Sequence, residues 1–123
     1  MASEPEYRNG KICYIEIPAI SIAESAAFYS TVFGWEINQR SDGSTTFNDT
    51  VGQVSGTWVL GISPSTQIGI LISIMVFDAE ATIKLITDNG GTIIEGIGRH
   101  LPEITARFSD PAGNIWAIYQ QHV

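Results

Sequence analysis

An internal repeat constrains the fold of this 123-residue chain more than any other feature of its sequence. Ser21 and Asp78 are residue types that cap helix N-termini, and they lie 57 positions apart. Gly34 and Gly91, which are suited to ending helices, are separated by the same distance. The same shift relates three pairs of strand-like runs, 13–17 with 70–74, 35–37 with 92–94 and 56–60 with 113–117. The sequence therefore predicts two copies of one structural module.

Hydrophobic periodicity predicts one helix in each module. Ser21 and Glu24 fit a capping box ahead of the first apolar stripe. The stripes themselves are formed by Ile22, Ala26, Tyr29 and Phe33 in the first module and by Ala79, Ile83 and Ile86 in the second. Strands are predicted near residues 11–18, 35–40, 45–50, 55–61, 69–77, 92–97, 103–109 and 114–121.

Each half reads as a strand, a helix and three further strands, so the predicted class is α+β. Neither half is large enough to stand comfortably alone, so each helix should pack on the outer face of its own sheet within one shared core. The expected architecture is two βαβββ modules in tandem, with curved mixed sheets around a cleft. Its parts are a flexible N-terminal tail at 1–10, a first module at 11–62, a linker at 63–68 and a second module at 69–121.

Composition excludes several classes of partner. The 6 basic residues are scattered among 13 acidic ones, giving a net charge of −7, so nucleic-acid binding is not expected. No apolar run approaches the roughly 20 residues of a membrane span. The polar N-terminal residues do not resemble a secretory signal. A single cysteine cannot form an internal disulfide, and a cytoplasmic location is expected.

Several short motifs together resemble the vicinal oxygen chelate superfamily, which includes glyoxalase I, extradiol dioxygenases and bleomycin-resistance proteins. The motifs are Ile15-Glu16-Ile17-Pro18, Ala27-Phe28-Tyr29, Phe33-Gly34-Trp35, Gly90-Gly91-Thr92 and Asp110-Pro111-Ala112-Gly113-Asn114. The resemblance extends from about Lys11 to Gln121. It implies paired βαβββ modules and a homodimer.

Members of this superfamily that perform chemistry commonly hold a divalent metal through His, Gln or Glu on the first and last strands of each module. Carried over by the resemblance, those positions are Tyr14, about Leu60, Leu71 and about Ala117. Aliphatic side chains cannot bind a metal, and a neutral phenol is a poor ligand. We therefore expect neither a metal nor another cofactor.

Strand alternation selects polar candidates for a ligand site. Tyr14 and Glu16 should face the cleft, whereas Cys13 and the isoleucines beside them should be buried under the helix. Thr105 and Arg107 should share the inner face. One interpretation makes Tyr14, Glu16 and Arg107 anchors of a ligand, with Glu16 the best candidate for a catalytic proton acceptor. The alternative is a structural Glu16–Arg107 ion pair beside a structural tyrosine.

Aromatic residues could line the same cleft and stack on a planar ligand. Trp58, Trp116 and Tyr119 are the candidates, with core packing as the alternative, which is the favoured interpretation for Trp116 and for Trp35. His100 is expected in an exposed loop, and His122 offers no support for a two-histidine metal site. Asp110 is interpreted as the cap of a turn.

The sequence as a whole predicts a metal-independent, glyoxalase- and bleomycin-resistance-like protein that binds a small organic ligand between its sheets. Two other hypotheses stay open. One is a lyase, isomerase or dioxygenase-type enzyme of the same superfamily. The other is a domain with a vestigial pocket, whose surface carries the function. The ligand, any reaction and the location of the cleft within one chain or between two are left undetermined.

Overall fold

The computed structural model describes residues 5–121 and contains two helices and eight strands. In chain order they are β1 Tyr14–Pro18, α1 Ile22–Phe33, β2 Glu36–Gln39, β3 Thr45–Asn48, β4 Ser55–Val59, β5 Ser73–Val76, α2 Ala79–Asp88, β6 Thr92–Glu95, β7 Ile104–Ser109 and β8 Ile115–Gln120. The predicted α+β class and the order of elements are confirmed. Residues 1–4 of the predicted tail lie outside the described residues.

Both helices begin at the capping residues predicted from the sequence. The Ser21 side chain accepts a hydrogen bond from the Glu24 amide at 3.2 Å, and the Asp78 side chain accepts one from the Ala81 amide at 3.0 Å. Gly34 ends α1 in the left-handed region, with φ of 74°, which a residue without Cβ adopts at little cost. The helix boundaries therefore follow from local chemistry.

Each module forms its own four-stranded mixed sheet. The strand order is β1-β4-β3-β2 in the first sheet and β5-β8-β7-β6 in the second. In both sheets the first strand is parallel to the last, and the other neighbours are antiparallel. Among the described strands, β1 and β5 each have a neighbour on one side only, so each sheet ends in a free edge.

The strand register shows that the repeat does not keep one offset along the whole module. Ile17 is paired with Trp58 in the first sheet, and Ile74 is paired with Ile118 in the second. The isoleucines are 57 residues apart, but Trp58 and Ile118 are 60 apart. The predicted match of residues 56–60 with 113–117 is therefore wrong, because the β6–β7 loop is longer than the β2–β3 loop.

A single aromatic core lies on the helix side of both sheets. Tyr29 is fully buried, its ring stacks on Trp35 at 4.7 Å, and it meets Trp116 edge-on at 5.8 Å. Phe28 contacts the ring of Phe108 at 6.1 Å. Because α1 thus packs against residues of the second sheet as well as its own, the two modules share one core.

The Asp110–Asn114 turn connects the second module to the first. The buried Asp110 carboxylate accepts a hydrogen bond from the Tyr29 hydroxyl at 2.6 Å and from the Asn114 side chain at 2.9 Å. Asn114 also donates to the Pro18 carbonyl at 2.7 Å. Burial raises the pKa of Tyr29 well above its usual value, and the charge of Asp110 raises it further, so Tyr29 stays a neutral donor.

No helix within residues 5–121 is long and apolar enough to cross a membrane.

Candidate functional site

A cavity of about 730 Å³ lies between the two sheets. One wall is supplied by the end of α1, Trp35, β1, β3 and the β3–β4 turn. The other wall is supplied by β5 and the residues beside it, α2 and β8. Its lining residues are Ile15, Val32, Phe33, Trp35, Phe47, Asp49, Thr50, Val51, Val54, Ile72, Ser73, Ile74, Met75, Val76, Phe77, Thr82 and Trp116. The sequence analysis predicted a cleft between the sheets, but it predicted other residues as the lining of that cleft.

The lining of the cavity is mostly apolar, and two of its four polar side chains, Asp49 and Thr82, already have hydrogen-bond partners. The Asp49 carboxylate accepts hydrogen bonds from the backbone amides of Gln53 at 2.8 Å and Val54 at 3.3 Å. The Thr82 hydroxyl donates to the Asp78 carbonyl at 2.8 Å. Aromatic rings of Trp35, Phe47 and Trp116 form part of the wall. The cavity therefore offers apolar and stacking contacts and few directional ones.

None of the five predicted ligand-binding residues lines this cavity. Tyr14 and Glu16 lie on the face of β1 opposite Ile15 and Ile17, as predicted, and both are exposed. Trp58 is 3% exposed and packs in the core beside Tyr29 and Phe47. Its indole Nε1 has no hydrogen-bond partner among the described residues. Core packing, one of the two interpretations of Trp58, is the one that the structure shows.

Arg107 faces away from the core, as predicted, but it does not pair with Glu16. Its Nε lies 3.8 Å from Oε1 of Glu95, the residue opposite it on β6. The alternative interpretation, a Glu16–Arg107 ion pair, is therefore wrong for the described chain. Glu95 is the acceptor, because β6 is the strand next to β7 whereas β1 belongs to the other sheet.

Glu95 and His100 form a contact that the sequence interpretation missed. The Nε2 atom of His100 lies 2.5 Å from the same Oε1 of Glu95. This hydrogen bond lowers the pKa of the Glu95 carboxyl, against some desolvation, and the positive charge of Arg107 lowers it further. His100 is exposed, as predicted. The predicted hairpin was the feature of the sequence from which this contact could have been found. The hairpin sets Glu95 opposite Arg107, and its loop brings His100 back to Glu95.

Tyr119 lies on the same face of the second sheet as Arg107. It is directly opposite Thr105, and Arg107 is opposite Ala117. The Glu103 carboxylate raises the pKa of Tyr119, with some help from desolvation. Arg107 and Tyr119 are thus neighbours, whereas the structure does not bring Tyr14 and Glu16 into contact with them.

The face of the first sheet that points away from its helix is polar. Its residues are Tyr14, Glu16, Thr46, Asn48, Ser55 and Thr57. Trp58, a candidate for lining the cleft, does not lie on this face, because it pairs with Ile17 on the helix side. Cys13 was expected to be buried and is exposed, because it precedes β1 and lies outside the part of the strand that α1 covers. His122 lies outside the described residues.

The residues at the positions where the resemblance implied metal ligands are not suited to bind a metal. Leu60 follows the end of β4, and the register makes Thr57 the counterpart of Ala117. The Thr57 hydroxyl donates to the Thr45 carbonyl at 2.7 Å and is already used. Within residues 5–121 no group of three or more His, Cys, Asp or Glu side chains is arranged to hold a metal ion.

Three comparisons place the chain among known proteins. The model of the Glyoxalase/Bleomycin resistance protein/Dioxygenase superfamily matches residues 11–118. A glyoxylase-like domain-containing protein of Didymella fabae is 32% identical over 120 residues, which cover 89% of this chain and 93% of that protein.

Two solved structures share the fold at low sequence identity. The genomically encoded fosfomycin resistance protein FosX of Listeria monocytogenes superposes with a TM-score of 0.76 at 14% identity, covering 94% of each chain. TnmS3, an antibiotic binding protein of Streptomyces sp. CB03234, superposes with a TM-score of 0.68 at 18% identity, covering 95% of this chain and 100% of that one.

Proposed function

Because the chain belongs to the Glyoxalase/Bleomycin resistance protein/Dioxygenase superfamily, we propose that it binds a small organic molecule in the cavity between its two sheets and does so without a metal. The observation that carries this proposal is the cavity itself. Its volume of about 730 Å³ falls within the range of roughly 300–1,000 Å³ typical of small-molecule sites.

The chemistry of the lining supports a largely apolar, partly aromatic ligand. Trp35, Phe47 and Trp116 offer ring faces and edges, and Ile15 and Val76 offer aliphatic contacts. Since the polar groups of Asp49 and Thr82 are bonded to backbone, only the hydroxyls of Thr50 and Ser73 are left to replace the hydrogen bonds to water that a strongly polar ligand would lose. Two proteins of the same fold, a fosfomycin resistance protein and an antibiotic binding protein, make sequestration of a small molecule a reasonable role.

Metal-independent binding is supported by the side chains at the positions where relatives hold a metal. The carried-over positions Tyr14, Leu60, Leu71 and Ala117 supply one poor ligand, the phenol of Tyr14. Thr57, which the register puts in place of Leu60, adds only a hydroxyl that is already bonded to the Thr45 carbonyl. A metal site needs about three protein ligands. We expect less than about 0.1 equivalent of Zn, Ni, Mn or Fe per chain after purification without a histidine tag. Near-stoichiometric metal by elemental analysis would contradict the proposal.

Binding can be measured with a neutral fluorescent probe, N-phenyl-1-naphthylamine. With about 17 heavy atoms at roughly 0.3 kcal/mol each, its Kd should be on the order of 100 μM, at one site per chain. Val76→Trp adds bulk at a half-buried residue of the cavity wall and should weaken probe binding about fivefold or more.

The matched control is Ile94→Trp, since Ile94 is an exposed strand residue outside the cavity lining. This variant should bind the probe like the unmodified protein. Equal affinity in all three proteins, or no saturable binding to any of them, would contradict ligand binding in the cavity.

We also propose a homodimer in which the free edge of β5 takes part. Ile70, Met75 and Phe77, in and beside this strand, are 90%, 63% and 98% exposed. Exposed apolar groups concentrated along an unpaired edge are typical of an association surface. Light scattering should give about twice 13.4 kDa at micromolar concentration. Met75→Lys should shift the mass toward one chain and Ile94→Lys should not, and a monomeric unmodified protein would contradict the dimer.

Tyr14, Glu16, Arg107 and Tyr119 form polar surfaces outside the cavity, and we propose that they contact the polar end of a ligand or the second chain. Tyr14 and Glu16 are exposed and Arg107 and Tyr119 are half-buried, on sheet faces that no described helix covers, and this placement supports the role. The ring of Trp58 lies 5.0 Å from that of Phe47 between centroids, and we propose that Trp58 acts indirectly, by supporting Phe47 in the cavity wall.

The proposed location is the cytoplasm. Cys13 is the one cysteine of the sequence, so the chain folds without an internal disulfide. Proteins of reducing compartments commonly have this property. Fractionation of cells that express the protein, with detection by antibody, should recover it in the cytoplasmic fraction, and recovery in an extracellular fraction would contradict the location.

A further inference from the structure

Two of the five asparagines of the chain, Asn9 and Asn89, are followed by glycine. Asparagine is among the thermolabile residue types of proteins. In an Asn-Gly pair the backbone nitrogen of the glycine can attack the side-chain carbonyl carbon of the asparagine, because no Cβ crowds that nitrogen. The product is a five-membered succinimide ring. The structure gives the two pairs different surroundings, and these surroundings decide which pair reacts.

Asn9 lies in an exposed turn of the segment that precedes β1. One backbone hydrogen bond closes the turn, from the Lys11 amide to the Arg8 carbonyl at 3.3 Å. Gly10 has φ of 93°, and a Cβ built on it would meet no atom within 4 Å. Within residues 5–121 neither the Asn9 side chain nor the Gly10 amide has a hydrogen-bond partner. Both reacting groups are thus unrestrained and open to solvent.

Asn89 is held at the end of α2. Its side-chain Nδ2 donates to the Leu85 carbonyl at 2.8 Å, and its backbone amide donates to the same carbonyl at 3.1 Å. The residue is half-buried. The nitrogen that donates this side-chain bond is the one that must leave when the ring closes, so the bond has to open first. Reaction through an opened state is slowed in proportion to the population of that state.

The Asp42-Gly43 pair, which could form the same ring, is also restrained. The Asp42 carboxylate accepts hydrogen bonds from the Ser44 amide at 2.9 Å and the Ser44 hydroxyl at 2.7 Å. These bonds lower the pKa of Asp42, so it stays a carboxylate, which a nitrogen does not attack readily. The Gly43 amide donates to the Arg40 carbonyl at 3.0 Å. Of the three pairs, the one at Asn9 is left unrestrained.

We propose that Asn9 is a site of spontaneous covalent modification, through a succinimide formed with Gly10. The Gly10 nitrogen bonds to Cγ of Asn9, the bond from Cγ to Nδ2 breaks, and the Gly10 amide proton leaves with that nitrogen as ammonia. Water then opens the ring. Its addition at Cγ gives aspartate, and its addition at the backbone carbonyl carbon gives isoaspartate, in which the main chain runs through the side chain.

The modification changes the charge and the length of the segment before β1. Each product carries a carboxylate, so one negative charge is added to a chain of net charge −7. Isoaspartate also adds a methylene group to the main chain between two attachments to the first sheet. These are the bonds from the Glu6 amide to the Gln53 side chain at 2.9 Å and from the Ser55 amide to the Cys13 carbonyl at 3.1 Å. The site lies outside the cavity lining and goes beyond the proposed ligand binding.

The test is incubation of the folded full chain at pH 8 and 37 °C, followed by digestion and mass spectrometry of the peptides that contain Asn9 and Asn89. Each modification raises the peptide mass by about 1 Da, and electron-transfer fragmentation distinguishes isoaspartate from aspartate. Asn9 should react about tenfold or more faster than Asn89, whose hydrogen bonds must open first. In concentrated urea the two rates should become similar, because the protection of Asn89 is lost.

Asn9→Gln should remove the mass gain at position 9, since a glutamine side chain would have to form a larger, six-membered ring. Asn89→Gln is the matched control and should leave the rate at Asn9 unchanged. A folded chain in which Asn9 keeps its mass, or reacts no faster than Asn89, would overturn the proposal. A mass gain at position 9 that persists in Asn9→Gln would contradict the succinimide route.

Discussion

The two turns that join the third and fourth strands of each module are built alike but perform different tasks. In both, an aspartate begins the turn, its carboxylate accepts backbone amides, and a glycine with positive φ follows three residues later. Asp110 also bonds Tyr29 of the other module, and it is buried. Within residues 5–121 Asp49 has no such partner in the other module, and it borders the cavity instead. The repeat thus preserves the local turn, whereas assembly and ligand binding are divided between the copies.

The largest effect should come from removing the aspartate that connects the modules. Asp110→Ala leaves the buried hydroxyl of Tyr29 and one N–H of the Asn114 amide without an acceptor and removes a turn cap, so it should lower the free energy of unfolding by about 4 kcal/mol. Asp49→Ala removes the cap alone and should cost about 1 kcal/mol. Urea unfolding measures both. Equal losses would show that the contact between modules contributes nothing.

A second contrast concerns the position that faces the phenylalanine of the third strand. In the first module Gly56 is opposite Phe47, and in the second Trp116 is opposite Phe108. A Cβ at Gly56 would lie 2.1 Å from the Ile15 carbonyl oxygen and 2.4 Å from the Phe47 ring. Gly56→Ala should therefore cost about 3 kcal/mol by urea unfolding. A neutral result would mean that the first sheet relaxes freely at this point.

Removing the hydroxyl of Tyr29 tests a single hydrogen bond between the two modules. Tyr29→Phe keeps the packing against Trp35 and Trp116 and removes the donor to the Asp110 carboxylate. A hydrogen bond to a charged group contributes about 2 kcal/mol, and the variant should lose this amount. In Asp110→Ala the same substitution should cost much less. Additive losses in the double variant would contradict a direct bond.

The smallest expected effect is a difference in the pH dependence of stability between two carboxylates on the uncovered sheet faces. They are Glu95 in the second module and Glu16 in the first. The pKa of Glu95 is lowered in the folded chain by His100, so the unfolded chain takes up the proton first as pH falls. The stability gained from Glu95 is complete above its ordinary pKa of 4.5 and is lost as pH falls through the lower folded value.

Glu95→Gln should therefore destabilise the protein more at pH 7 than at pH 3, as measured by urea unfolding at both values. Glu16→Gln is the matched control, since Glu16 is exposed and has no hydrogen bond or ion pair among the described residues. It should cause the same small change at both pH values. A pH-independent loss in Glu95→Gln would mean that the His100 contact does not form in solution.

The sequence predicted elements whose signals are local. Ser21, Asp78 and Gly34 act through their own backbone neighbours, so their positions were sufficient to place both helices. The last strand of each module was misaligned because its register depends on the length of a preceding hairpin loop, and the single offset of 57 could not reveal a longer loop at 96–103.

The site was harder to predict, because its residues are brought together by packing between modules. Alternation assigned Tyr14, Glu16 and Arg107 to uncovered faces, but it could not show that Trp58 pairs with Ile17 on the helix side. The size of the cavity depends on the distance of β5 from α1 and β1, and the hydrophobic periodicity of the sequence carries no information about that distance. The Asp49–Gly52 and Asp110–Gly113 turns were a usable signal, since the Asp-x-x-Gly pattern recurs 61 residues apart.

The three tryptophans of the chain allow the central claim, ligand binding in the cavity between the sheets, to be tested within one molecule. Trp35 and Trp116 line the cavity, and Trp58 is buried outside its lining. The measurement is ¹⁹F NMR of the protein labelled with 5-fluorotryptophan and titrated with N-phenyl-1-naphthylamine. Saturable shifts are expected for the resonances of Trp35 and Trp116, with little change at Trp58. No saturable shift, or a shift confined to Trp58, would contradict the account.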